Sequence, residues 1–230
     1  MSARNLLVLL LLPSVALGLV QDGFSPARTY TLGEKDVYGL SMRMDAGQYM
    51  VSISGKLNYE VKKVHENGDA DVESKAGELT IDALGDIIKQ PAGEPRLVRY
   101  NRFGAPMEKE APKGQKQPIF MSFLTYRPGV AMKIGETIKV DETLENSAKT
   151  QVKGTAKLEG ITDGVAKIVS QLEVSESKAK KPTKIHSIGY FDTKTSKLNR
   201  SESKLTDVDP AEMQGMPPIS SITIVIEREK

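Results

Sequence analysis

The chain has 230 residues, and its 32 Lys and Arg nearly balance 30 Asp and Glu, so the formal net charge at pH 7 is only +2. This balance provides no basic field to attract nucleic acid or an acidic membrane. The chain has no Cys and no Trp, and aromatic residues make up 5% of it, which excludes disulfides, thiol catalysis and cysteine metal sites and leaves little material for stacking on sugars or bases.

The first eighteen residues have the pattern of a secretory signal peptide. A positive charge at Arg4 precedes the apolar run Leu6–Leu12, and small residues stand two apart at Ala16 and Gly18. This order is typical of exported proteins, whereas a membrane span needs about 20 apolar residues. We therefore predict cleavage after Gly18, with an uncleaved anchor as the alternative. The mature chain is predicted to be one β-rich domain over 19–230, located in the periplasm or outside the cell.

A period of two, typical of β-strands, runs through most of the remaining chain. Asn67-Gly68 and Asp163-Gly164 separate such runs, and these dipeptides favour hairpin turns because they accept positive φ. The pattern predicts about ten antiparallel strands in one mainly β domain, a large sheet forming an open half barrel or a sandwich. The runs are Thr29–Leu32, Val37–Met44, Tyr49–Val64, Asp69–Lys75, Glu78–Ala83, Leu97–Arg102, Glu136–Leu144, Ala148–Leu158, Val165–Val174, Ile185–Phe191, Lys197–Thr206 and Ile219–Glu229.

Helix is predicted only in one or two short segments. Ile81–Gln90 places its isoleucines on one stripe and is followed by Pro91, which predicts two helical turns. Pro210–Met216 predicts a single turn with proline at its first position. Ile119–Tyr126 fits either a helical turn or a buried strand, and the sequence leaves both open.

Side chains that could carry metal or acid–base chemistry do not form a recognisable site. His65 and His186 are the only histidines, and a zinc site needs three or four convergent ligands. Asp69, Asp71 and Glu73 share one face of a predicted strand, where carboxylates can bind a hard cation, but a solvated polar face is the simpler interpretation. We predict no catalytic residue, no metal site and no cofactor.

Two classes of function follow from this absence of motifs. The favoured class is a non-enzymatic binding or structural protein. The alternative is a carboxylate-based hydrolase acting in the periplasm or outside the cell, with Asp207 and Asp209 as its acids. Two carboxylates perform hydrolysis when their surroundings separate their pKa values.

Three motifs in the later half of the chain carry a resemblance to a known type of protein. They are Pro128-Gly129-Val130, the run Lys133–Ile138, and the turn-containing run Ser187–Leu198. Over Pro128–Thr206 the sequence resembles uncharacterised exported bacterial β-proteins with a LolA/LppX-like periplasmic half barrel. The resemblance implies an open antiparallel sheet with helices in its concave mouth, an envelope location and a hydrophobic ligand. The motifs mark turns and packing, so no functional residue is carried over.

A half barrel has an apolar face that something must cover. A face of small residues leaves space there: Ala148, Thr150, Val152, Gly154 and Ala156. A helix of the same chain, Ile81–Ile88, is the favoured occupant, and an acyl chain is the alternative. Occupation by a ligand predicts a cavity wall of Tyr49, Val51, Val152 and Ile224. The expected partner is then a lipid or another envelope protein, without nucleic acid and without a transmembrane span after cleavage.

Overall fold

The computed structural model describes residues 23–105, 107, 127–143, 150–175, 181–208 and 219–229. These ranges contain strands, turns and irregular connections, and no helix. The strands are β1 Gly23–Phe24, β2 Lys35–Ala46, β3 Tyr49–Val64, β4 Ala70–Ala83, β5 Asp86–Gln90, β6 Arg96–Tyr100, β7 Met132–Lys133, β8 Thr137–Thr143, β9 Gln151–Thr162, β10 Val165–Ser175, β11 Thr183–Asp192, β12 Leu198–Thr206 and β13 Ser221–Arg228.

Eleven of these strands form one antiparallel sheet in the order β5-β4-β3-β2-β13-β12-β11-β10-β9-β8, with β6 also paired to β4. The chain forms two meanders, β2–β5 and β8–β13, which are joined because the last strand, β13, pairs with β2. The end strands β5 and β8 do not pair with each other, so the sheet is not closed. The prediction of a mainly β fold with a large, open antiparallel sheet is confirmed.

Both predicted hairpins are present, but their turns differ. Asp163 and Gly164 have φ values of 50° and 74° and join β9 to β10 in a two-residue turn, as predicted. The β3–β4 connection is longer. It is closed by a hydrogen bond of 2.9 Å that the backbone N–H of His65 donates to the carbonyl of Asp69. Within Asn67-Gly68, only Gly68 has a positive φ, of 85°.

The predicted helix at Ile81–Gln90 is wrong, because this segment is the β4–β5 hairpin. Leu84 and Gly85 form its turn with φ values of 60° and 91°, the conformation that a tight hairpin requires at both positions. The Asp82 carboxylate accepts a hydrogen bond from the Gly85 N–H at 2.9 Å. The β-branched isoleucines that suggested a helical stripe also suit a strand.

Three predictions fall on parts of the chain outside the described residues. These are the signal peptide over residues 1–18, the segment Ile119–Tyr126 and the turn Pro210–Met216. Within the described ranges, no helix has the length and apolarity needed to cross a bilayer.

One face of the sheet, here called the inner face, holds the main core. On β2 every second residue is buried, from Asp36 through Tyr38 to Met44. The ribbon formed by β1 and β7 packs on this face, where the Phe24 ring stacks on Phe191 with centroids 6.0 Å apart. The ribbon therefore provides a second layer over one part of the sheet.

Candidate functional site

The register of the sheet aligns side chains in rows across the inner face, because directly opposed residues point to the same side. One row crosses ten strands in the order Ile138, Ala156, Ser170, Ser187, Ser203, Ile224, Met42, Ile53, Ile81 and Ile88. Exposure rises along it from 1% at Ile224 to 55% at Ile88. The core is thus fully covered near β13 and progressively less covered toward β5.

The less covered part is an apolar surface that we call the open strip, consisting of Val51, Ile53, Leu57, Leu79, Ile81 and Ile88. Its residues on β3 and β4 are half-buried, and Val51, Ile53 and Leu57 pack against the main core. An apolar surface that continues a core without being fully covered is the kind of surface that binds an apolar ligand.

The four residues predicted to line a cavity wall lie in different surroundings. Val51 belongs to the open strip. Val152 and Ile224 are 0% and 1% exposed inside the core. Tyr49 is 49% exposed at the start of β3. Their contact with a ligand stays a prediction.

At one end of the inner face lies a cluster that we call the charged pocket, formed by Arg28, Glu34, Asp36, Arg127 and Lys197. Nη2 of Arg28 contacts Oε1 of Glu34 and is 2.7 Å from Oδ2 of Asp36. Nζ of Lys197 is 2.8 Å from the same Glu34 oxygen and 3.2 Å from Oδ1 of Asp36. Both carboxylates are therefore shared between these two cations, and Nη1 of Arg228 also lies 4.0 Å from Oδ1 of Asp36.

The pKa values in this cluster show that the ion pairs outweigh burial. Burial alone raises the pKa of the Asp36 carboxyl, but Arg28 and Lys197 together hold it below its usual value. Burial also lowers the pKa of Arg28, and Glu34 leads the neighbours that raise it above its usual value. Both groups are ionised at neutral pH, and their pairing is coupled to folding.

Arg127 stands apart from this network although it is only 2% exposed. Its guanidinium lies over the Phe191 ring, 5.2 Å from the centroid. No acceptor in the described part of the chain meets its Nε or Nη1. Burial is the largest cause that lowers the pKa of Arg127 to about 10; Arg28 acts in the same direction, and Tyr30 and Asp36 act against it. At neutral pH the side chain remains a cation.

A partly open cavity of about 40 Å³ adjoins the charged pocket and is walled in part by Tyr30, Tyr38, Tyr59 and Tyr100. The Tyr38 and Tyr59 rings meet edge to face at 5.6 Å. Burial raises the pKa of Tyr59 to about 12, and burial and Asp36 raise the pKa of Tyr38. The hydroxyls of Tyr38 and Tyr59 are therefore neutral at pH 7 and can donate hydrogen bonds.

Sequence reasoning missed the charged pocket. Its charges lie in segments far apart in the chain, and they meet only after β2, β12 and the segments beside β1 and β7 come together. One local signal was a charged residue at a position predicted to be apolar: Asp36 lies at an inward position of β2, where the alternation predicts an apolar side chain.

Of the two carboxylates named for the hydrolase alternative, the structure describes only Asp207. Asp207 is 3.0 Å from Nζ of Lys184 and 3.7 Å from Nζ of Lys181. The hydrogen bond from Lys184 leads the causes that lower its pKa. Asp209 lies outside the described residues.

His65 contacts one member of the acidic strand face, whereas His186 lies on another strand. Nε2 of His65 is 3.0 Å from Asp71, which also pairs with Arg99 at 3.1 Å. His186 is exposed on β11. Glu73 pairs with Lys62, and Asp69 accepts a hydrogen bond from Asn67. No group of three or more potential metal ligands converges among the residues described.

No family profile matches the chain, and no curated protein matches it. Among solved structures, it is similar to a provisionally described outer membrane lipoprotein-sorting protein domain from Vibrio parahaemolyticus, with 8% identity, 85% of this chain and 83% of that chain covered, and a TM-score of 0.23. A provisionally described lipoprotein from Parabacteroides distasonis has 10% identity, coverage of 88% and 99%, and a TM-score of 0.30. A DUF1329 family protein from Desulfovibrio piger has 11% identity, coverage of 86% and 85%, and a TM-score of 0.24.

These neighbours include the lipoprotein-sorting type of protein, in agreement with the resemblance found in the sequence. Identities and TM-scores at this level carry no information about ligand or mechanism.

Proposed function

We propose that the protein is a non-enzymatic carrier or binding protein that holds an apolar ligand, such as the acyl chain of a lipid, on the open strip. The observation that supports this function is the rise in exposure along a continuous apolar row, from the buried Ile224 to Ile88 at 55%. Fully burying an exposed isoleucine side chain contributes about 1.5–3 kcal/mol, and covering one that is already half-buried contributes about half as much. A ligand that covers several members of the strip therefore gains enough free energy to bind.

The N-terminal pattern and the resemblance support a location in the cell envelope. In this proposal the chain loses residues 1–18 and acts as a single domain in the periplasm or outside the cell, with a lipid or another envelope protein as its partner. N-terminal sequencing of protein from the envelope fraction checks the cleavage, and a chain still beginning at Met1 or Ser2 would contradict it.

The substitution Ile88→Glu tests the open strip directly. Ile88 faces inward and is 55% exposed, so the variant is expected to fold. A carboxylate placed against an acyl chain loses the apolar contact and must be desolvated. We expect binding of a fluorescent fatty acid to weaken about tenfold, which corresponds to about 1.4 kcal/mol. Fluorescence titration measures the affinity.

The neighbouring residue provides a matched control. Ile87 is 68% exposed and points to the opposite face of β5, so Ile87→Glu makes the same chemical change on the outer side. This variant should bind like the unmodified protein. Equal weakening by both substitutions, or by neither, would contradict binding on the inner face.

A further inference from the structure

The charged pocket has more cations than its carboxylates can serve. Arg28 and Lys197 both contact Glu34 and Asp36, while Arg127 is as deeply buried as these carboxylates without reaching either. A buried ion without a partner destabilises the folded state. Nε of Arg28 also lacks an acceptor among the described residues. The pocket is therefore one negative group short of a satisfied network.

The adjoining cavity has room for such a group. Its volume of about 40 Å³ exceeds the roughly 10–15 Å³ that a single water requires. A guanidinium presents parallel N–H donors that match the two oxygens of a carboxylate. The cavity wall also carries Tyr38 and Tyr59, whose hydroxyls are neutral because their pKa values are raised, and Tyr38 is 4% exposed.

The pocket is continuous with the open strip. Tyr59 lines the cavity and follows Leu57 on β3, and Tyr38 is paired with Leu57 across the strands. From Leu57 the strip continues through Ile53 to Val51 along the same strand. A ligand with one carboxylate and one apolar chain can thus occupy both places at once.

We propose that the charged pocket binds a carboxylate group of a ligand through the guanidinium of Arg127, which lines the cavity. The carboxylate supplies the missing negative charge and accepts hydrogen bonds from this buried cation. Two sources share this chemistry, a small free carboxylate and the head group of a fatty acid. Binding of a small carboxylate does not depend on the proposed carrier function, because such a ligand has no apolar chain.

Acetate tests the pocket alone. A ligand that binds only the folded state raises its stability by mass action, so sodium acetate is expected to raise the Tm of the full chain relative to sodium chloride at equal ionic strength. Arg127→Met, which removes the unpaired charge at similar volume, should fold and lose this response. Arg200→Met is the matched control, because it removes the same charge from an exposed ion pair with Glu202 and Glu227 and should keep the response.

Decanoate and decanol distinguish the two sources. If the carboxylate belongs to a fatty acid, decanoate should bind at least about tenfold more tightly than decanol, and Arg127→Met should remove the difference. If acetate stabilises the protein but decanoate gains nothing over decanol, the ligand is a small free carboxylate. If decanol does not bind but acetate still raises the Tm, the carrier function is contradicted and the carboxylate site in the charged pocket is not.

Several results would overturn the proposal. These are an equal acetate response in the unmodified protein and Arg127→Met, no response of the unmodified protein to acetate or decanoate, and a stronger response to phosphate than to acetate. If Arg127→Met does not fold, Arg127→Lys keeps the charge but not the forked geometry. A weakened acetate response in that variant supports the proposal, and an unchanged response overturns it.

Discussion

Replacing Gly154 with Ala is expected to lower the free energy of unfolding by about 3 kcal/mol or more. Gly154 has a φ of 148°, which side-chain-bearing residues rarely adopt. A Cβ at this position would lie 2.0 Å from the carbonyl oxygen of Gln171 and 2.9 Å from Cα of Leu172. Both obstacles are backbone atoms of the paired strand β10, so relief requires displacing the β9–β10 ladder.

Urea denaturation of the two purified proteins measures this effect. Gly160 is the matched control because it lies in the same strand, β9, and a Cβ there would meet nothing within 4 Å. Gly160→Ala should change stability by less than about 1 kcal/mol. Equal losses for the two variants would contradict the close approach of β9 and β10 at Gly154.

Asp36→Asn is expected to lower the free energy of unfolding at pH 7 by about 3 kcal/mol, the scale on which breaking a buried ion pair acts. Asp36 is 7% exposed, and its carboxylate contacts Arg28 at 2.7 Å and Lys197 at 3.2 Å. A neutral amide leaves both cations with Glu34 as their only carboxylate in the pocket.

The same substitution should flatten the acid side of the stability profile. Arg28 and Lys197 outweigh burial and hold the pKa of Asp36 below that of an unfolded chain. The stabilisation that the ionised Asp36 provides is therefore complete above the pKa of an unfolded Asp, about 4. It is lost as the pH falls through the lower pKa of Asp36 in the folded protein. Between pH 4 and pH 2 the unmodified protein should lose more stability than Asp36→Asn.

Thermal unfolding measured from pH 7 to pH 2 tests this prediction. The exposed ion pair of Asp207 with Lys184 provides the control, since surface pairs contribute little to stability. Asp207→Asn should follow the unmodified protein closely. Parallel acid profiles for Asp36→Asn and the unmodified protein would show that the pocket does not hold Asp36 ionised.

The strands were predictable wherever local residues agree with the final pairing. The turn predicted at Asp163-Gly164 is present because both residues accept the positive φ of a two-residue turn. Ile81–Gln90 failed because its spacing of apolar residues fits a helical stripe as well as two short strands. The pairing of Ile81 with Ile53 of β3 and Ile88 of β5 decides between them, and such pairing is a tertiary effect.

The candidate site was less predictable than the fold. Of the expected wall residues, Val51 lies in the open strip, because period-two alternation correctly assigns its face. The charged pocket gave almost no signal, because Arg28, Arg127 and Lys197 each read as an ordinary charged residue in its own segment. Their burial depends on which segments cover the end of the sheet, and the order of strands in space determines that.

Native mass spectrometry of the protein purified from its own envelope fraction tests the central claim most directly. The proposed carrier should carry additional mass corresponding to an acyl-chain lipid, retained in Ile87→Glu and diminished in Ile88→Glu. A single mass for the protein alone in all three samples, together with no binding of a fluorescent fatty acid, would contradict a ligand on the open strip.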